Sequence, residues 1–260
     1  MGRLVTVHSF RGGTGKSNLC ANLAWLAARR GARVAVLDTD LQSPGVHVVF
    51  QCDQDRMVNT LSDFVLGRCE VSEVAIDLTE ELDAGEEGGK LYLLPSSMKL
   101  EAISRIQSEG YDVGKLNEQL VKLTDLLDLD FVLLDTHPGL NSETMLSAAI
   151  SDTMIVIVRP DAQDFDGTAV LIEVANKIDV PQVLLVANKV LDELDSEDVR
   201  QKIEEAFDHP VVGVLPLVHE IVRMGSQGIF AREYPDHPAV AELERIVATA
   251  LGGPVKGASA

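Results

Sequence analysis

Cationic residues are scarce in this chain. Across 260 residues, 22 lysines and arginines stand against 41 aspartates and glutamates, a formal net charge of −19. A surface with that balance repels phosphate backbones, which argues against a broad nonspecific face for DNA. Cysteine is scarcer still: Cys20, Cys52 and Cys69 lie far apart and form no C-x-x-C pair. An odd count without metal-ligand spacing points to reduced thiols in a cytosolic protein. The six histidines form no H-E-x-x-H. No apolar run reaches the roughly 18 residues of a membrane span, and a strand-like run begins within a few residues of the start, so no signal peptide is expected. The expected location is cytoplasmic.

What the chain does have is alternation. Seven short, largely apolar runs read as strands: RLVTVHS (3–9), ARVAVLD (32–38), KLYLLPS (90–96), DFVLLD (130–135), DTMIVIV (152–158), QVLLVAN (182–188) and HPVVGVLP (209–216). Several are continuously apolar, which suits parallel strands covered on both faces. Between them, residues 17–30, 58–67, 113–128, 142–150, 164–178, 196–207 and 239–251 read as helices. The expected fold is α/β, a doubly wound and mostly parallel sheet of about seven or eight strands flanked by helices. Residues 1–251 read as a single domain, with DAGEEGGK (83–90) a polar surface loop and 252–260 a disordered tail. In the last helix, Val240, Leu243, Ile246, Val247 and Leu251 share one face with little basic charge nearby. That face is expected to pack on the core rather than on a bilayer.

Ligands in such sheets bind beyond the carboxyl ends of the strands, and three strand ends carry chemistry. The first runs into SFRGGTGKSN (9–18). The phosphate-loop pattern G-x-x-x-x-G-K-[ST] wants glycine at position 10, where this chain has Phe10. Gly12, Gly13 and Gly15 nevertheless let the backbone turn sharply around Thr14, and their N–H groups, with the helix opening at Ser17 and Asn18, suit phosphate oxygens. Lys16 would reach the β and γ phosphates, and the Ser17 hydroxyl would bind Mg²⁺. Asp38 and Asp40 flank Thr39 at the end of the second strand, on one side of an extended chain, and Asp135 ends the fourth. Carboxylates facing a phosphate site without a cation would repel the substrate, so Mg²⁺ is implied. In ANKVL (187–191), Asn188 and Lys189 precede Val190 and Leu191, which lack the carboxylate that would read guanine. Asn188 can pair with adenine, so ATP is favoured over GTP.

RGGTGKS resembles the deviant Walker A motif of the MinD/ParA family, written K-G-G-x-G-K-[ST]. The similarity continues in VAVLDTDLQSPG (34–45), DFVLLDTHPGL (130–140) and VVGVLPLVHEIVRMGSQGIF (211–230). In that family the early glycine is not required, and a basic residue before the glycine pair reaches the nucleotide of the partner subunit. Here Arg11 replaces the family's lysine, and arginine offers a bidentate fork in place of a point charge. The resemblance implies that Asp40 orients the attacking water, that Asp38 lies in the Mg²⁺ shell and that Asp135 holds Mg²⁺. It also implies that the backbone at Leu215, Pro216 and Leu217 borders the base. His137 stands where the family has proline or a small residue, and it is expected to pack or hydrogen-bond in its loop.

The implied function is a slow, partner-stimulated ATPase that dimerises with ATP and serves positioning, partitioning or regulation. A homodimer and a stimulating or cargo protein are the implied partners; the acidity argues against nonspecific DNA binding, and the few basic residues of the last helix argue against a membrane. Two alternatives stay open: a small-molecule ATP-dependent synthetase, and a nucleotide-dependent binding module with little turnover. Iron–sulfur relatives are disfavoured, because no cysteine lies beyond Cys69.

Overall fold

The computed structural model describes residues 2–252. Eight strands form one sheet: β1 (Arg3–His8), β2 (Arg33–Asp38), β3 (Ile76–Asp77), β4 (Lys90–Leu94), β5 (Phe131–Asp135), β6 (Thr153–Val158), β7 (Val183–Val190) and β8 (Val211–Pro216). Their order is β3-β4-β2-β5-β1-β6-β7-β8, with β3 alone antiparallel. The seven expected strands are all present. The eighth, β3, is a two-residue edge pairing with β4 that carries no periodic signal of its own.

Both faces of the sheet are covered, as continuous apolar strands require. Along β2, Val34 and Val36 enter the core beneath the helices Lys16–Arg29 and Pro238–Ala250, whereas Ala35 and Leu37 enter the opposite core. A third cluster, built on β6, β7 and β8, completes the second face. Each buried valine or leucine of this kind contributes about 1.5–3 kcal/mol. Val240, Leu243, Ile246, Val247 and Leu251 are all buried in the first of these cores, so the apolar face of the last helix is covered by the protein itself.

The helices depart from expectation mainly at their ends and in the short ones. The segment read as 58–67 is helical only over Leu61–Val65, begun by a Thr60–Asp63 capping box. Leu100–Glu109 is a helix that the apolar pattern did not reveal; only Ala102 and Ile106 of it are buried. Single-turn helices at Val46–Val49 and Phe230–Glu233, and the short His219–Met224, were likewise not expected. Isolated turns of this length are held by packing rather than propensity. The expected disordered tail lies, from residue 253 onward, outside the described residues.

Candidate nucleotide site

β1 lies in the middle of the sheet between β5 and β6, and the site grows from that placement. Register pairs Val7 with Asp135 and Asp135 with Asp38. Neighbouring residues in register on parallel strands point to the same face, so the strand ends bring two carboxylates together beside the loop that leaves β1.

That loop is held by its own polar groups. The Ser9 hydroxyl donates to the Arg11 carbonyl at 2.7 Å and accepts from Thr14 Oγ1 at 2.9 Å and Lys16 Nζ at 3.2 Å. Gly13 (φ 72°) and Gly15 (φ 101°) occupy the left-handed region that suits glycine, and Gly15 starts the helix Lys16–Arg29. Gly12 adopts no positive φ; Pro138 is its neighbour. Phe10, which displaces the usual glycine, has its ring against Gly167, where a Cβ would lie only 1.9 Å from the ring. An apolar strut between the loop and the helix Ala162–Lys177 therefore occupies the place of the lost glycine.

Lys16 is buried, and burial lowers its pKa against the pull of Asp135 and Asp40. Asp38 is fully buried; its Oδ2 accepts amides from Gly45 at 2.9 Å and Val46 at 3.2 Å, while Oδ1 has no partner. Burial and the neighbouring Asp135 push its pKa well up. Burial lifts Asp135 to about 6, against the hydrogen bond from Ser17 and the charge of Lys16. Its Oδ1 is also unpartnered. Two orphaned carboxylate oxygens beside a serine hydroxyl form the all-oxygen donor set that Mg²⁺ prefers. The residues fit that ion. Asp40 is less buried, and its Oδ1 accepts from Ser43 N and His137 Nδ1, each at 2.9 Å.

A cavity of about 500 Å³ begins at this loop, with Gly13, Gly15, Lys16, Ser17 and Asn18 at one end. Asn188 and Lys189, which touch that loop, line the cavity too, with Leu215, Pro216 and Leu217. Asn188 Nδ2 donates to the Thr14 carbonyl at 2.7 Å and its Oδ1 accepts from Lys189 N at 2.9 Å, leaving one donor and one acceptor position for a base. Lys189 reaches back to the Gly13 carbonyl at 2.7 Å. An apolar wall comes from Val49, Val218, Ile221, Val222, Phe230 and Leu243, four of them within the stretch 211–230 quoted for the family resemblance. Arg11, Gly12, Thr14 and the three carboxylates do not line this cavity. Arg11 instead points along its own chain, Nη1 to Gln163 Oε1 at 2.7 Å.

His8 was not anticipated either. It is fully buried, with Nε2 3.0 Å from the Gly139 carbonyl and Nδ1 2.6 Å from Thr136 Oγ1. A carbonyl only accepts, so Nε2 carries the proton; the Thr136 hydroxyl lies between His8 Nδ1 and the Val7 carbonyl, 2.9 Å away, and its single proton serves one of the two. Burial, with the charge of Lys16, depresses its pKa to about 3. His8 thus ties the end of β1 to the loop after β5.

Comparison with known proteins agrees with this geometry. Residues 2–186 match the family described as an AAA domain. An uncharacterized ATP-binding protein of Methanocaldococcus jannaschii is 26% identical over 249 residues, 95% of this chain and 87% of that protein. The septum site-determining protein MinD of Bacillus subtilis is 24% identical over 234 residues, 88% of this chain and 81% of that protein. The chain belongs to this AAA-domain family, as a P-loop ATPase of the MinD/ParA type. Among solved structures, MinD of Pyrococcus horikoshii complexed with Mg-ADP matches with a TM-score of 0.77, at 22% identity, over 96% of each chain. At that identity the likeness carries the fold.

Proposed function

We propose that this protein is an ATP-dependent molecular switch that binds Mg-ATP in the cavity after β1, hydrolyses it slowly, and pairs with a second copy when ATP is bound. Residues 1–251 act in this reading as one ATPase domain. The observation that carries it is the in-register pair Asp38–Asp135, with two unpartnered buried oxygens beside Lys16 and Ser17. Such a pair is costly to bury unless a cation joins it.

Lys16 and the loop amides would hold the phosphates, and Ser17, Asp38 and Asp135 would hold Mg²⁺. The bound metal supplies charge neutralisation at the β and γ phosphates. Asp40 would orient the attacking water. Asn188, Lys189 and the backbone at Leu215, Pro216 and Leu217 would border adenine, against the apolar wall. Arg11 would leave its own chain to reach the partner's phosphates. A protein partner would stimulate turnover or serve as cargo, which is the use suggested by likeness to a septum site-determining protein. No helix among the described residues is long and apolar enough to cross a membrane.

The test is phosphate release from Mg-ATP by the full chain, with Lys16→Ala as the control. Turnover in the wild type that disappears in the variant supports the reading. Binding of ATP with no release in excess of the control would reduce the protein to a nucleotide-dependent binding module.

A further inference from the structure

Asp40 and His137 come from different loops, one after β2 and one after β5. The bases of those loops are already joined, because Thr39 donates from both its amide and its hydroxyl to the Asp135 carbonyl, each at 2.9 Å. His137 adds a clamp nearer the tip. Its Nδ1 lies 2.9 Å from Asp40 Oδ1, the same oxygen that accepts from Ser43 N at 2.9 Å. Two donors on one carboxylate oxygen fix the rotation of the group about its last torsion, which is otherwise broad. Oδ2 takes part in neither bond. Asp40 is near enough to Lys16 and Asp135 to act on the charge of both. The pair is partly open to solvent, 32% for His137 and 13% for Asp40, so its contribution to fold stability is small.

We propose that His137 is a positioning residue for hydrolysis, donating Nδ1–H to Asp40 Oδ1 so that Oδ2 is presented to the attacking water. This rests on the reading of Asp40 as the residue that orients that water. His137 makes no contact with substrate in this scheme and gives up no proton. The ring acts only through the direction of one hydrogen bond. Orientation is a large lever in such reactions, since a small misplacement of a reacting group is costly in rate.

The experiment measures kcat, KM and affinity for a non-hydrolysable ATP analogue in the full chain with Mg²⁺. The variants are His137→Ala, His137→Asn, Asp40→Ala and the Asp40→Ala/His137→Ala double. His137→Ala should lower kcat by about tenfold to a hundredfold, with KM and analogue affinity within about twofold of wild type. In His137→Asn the amide Nδ2–H takes the place of the ring Nδ1–H, and turnover should return to within about threefold. With Asp40 already replaced by alanine, removing His137 should cost nothing more, because the partner of its bond is gone. Wild-type turnover in Asp40→Ala would overturn the reading of Asp40 itself. Slow Asp40→Ala with wild-type His137→Ala would leave that reading standing and sink the positioning role. Equal losses in the alanine and asparagine variants of His137 would also sink it. A second readout needs no turnover: long-range nitrogen–proton NMR of labelled histidine should find the proton on His137 Nδ1, with its resonance displaced in Asp40→Ala. An identical resonance in that variant would mean that the bond is absent.

Discussion

Arg11 and Gln163 are joined within one chain by a 2.7 Å hydrogen bond, with the Asp161 carboxylate 3.8 Å from the same guanidinium. The arrangement continues inward. Arg159 holds Asp161 at 2.9 Å and the buried Asp164 at 3.1 Å, so the acidic start of the helix Ala162–Lys177 is itself fixed. Arg11 and Asp161 are 40% and 42% exposed. Contacts that open to solvent are worth about 0–1 kcal/mol, so little is lost when the arginine exchanges them for a phosphate on the proposed second subunit.

Two variants follow from that energy scale. Gln163→Ala should raise ATP-dependent self-association, by no more than about fivefold, because at most about 1 kcal/mol of intrachain contact is removed. Arg11→Ala should weaken association and turnover while monomer ATP affinity stays near wild type. Sedimentation with and without ATP reads the first quantity and calorimetry the last. If Arg11→Ala loses ATP binding outright, the arginine serves its own chain's site and the interchain proposal is wrong.

Phe10 and Gly167 give a packing test of the loop. A methyl group at position 167 would stand 1.9 Å from the Phe10 ring, so Gly167→Ala forces the ring and the start of the phosphate loop to move. Overpacking of this kind costs about 1–3 kcal/mol, and weaker ATP binding should accompany it. In the Gly167→Ala background, Phe10→Ala should cost less than it does alone, since the clash is then relieved. Denaturant melts of the four proteins measure the cycle. Strict additivity would show that Phe10 and Gly167 do not share space in solution.

The contrast between these residues explains what the sequence made legible. Lys16 and Ser17 sit in a local glycine loop and Asp38 and Asp135 at strand ends, so their positions in the sequence made them candidates, while the metal roles of the carboxylates came from the family resemblance. The sheet was legible for a related reason: β1, β2, β5 and β6 are almost wholly buried, and continuous apolar runs record that directly. Phe10 and Gly167 meet through tertiary packing, and no local pattern links them. His8 closes an apolar strand, and nothing in RLVTVHS distinguishes a buried strut from a strand-end histidine. The helix Leu100–Glu109 escaped because only two of its residues face the core. His219–Met224 buries none, yet it supplies Ile221 and Val222 to the cavity wall.

Gly15→Ala tests the contact between the phosphate loop and Asn188. Its φ of 101° disfavours any side chain, and a Cβ would lie 2.6 Å from Asn188 Nδ2. The amide that donates to the Thr14 carbonyl would then be driven off, disturbing phosphate and base contacts together. ATP affinity should fall as far as it does in Lys16→Ala, where the phosphates lose their main cation. Calorimetric titration with Mg-ATP is the measurement. Unchanged affinity in Lys16→Ala would remove that lysine from the site.

Asp135→Asn sets stability against pH. Burial raises the Asp135 carboxyl from 3.8 to about 6. Between those values the folded chain keeps the proton that the unfolded chain has released, so stability falls as pH rises through the window and levels off above it. A shift of about two units corresponds to a cost on the order of 3 kcal/mol at neutral pH, and asparagine, which carries no charge, does not incur it. The variant should therefore melt above wild type at pH 7 without nucleotide, with the gap closing as pH is lowered toward 4. His8 acts in the other direction. With its pKa depressed to about 3 from 6.5, it stays neutral in the fold while the unfolded chain gains a proton, and stability is lost as pH falls below 6.5. That loss is common to both proteins and cancels in their difference. Mg²⁺ with ATP should raise the melting temperature of wild type above pH 6 far more than that of the variant, because the variant has lost an anionic ligand. If Asp135→Asn instead melts below wild type at pH 7, by an amount that does not change down to pH 4, the carboxylate is favourably held without a metal. The electrostatic case for a cation between Asp38 and Asp135 would then fall.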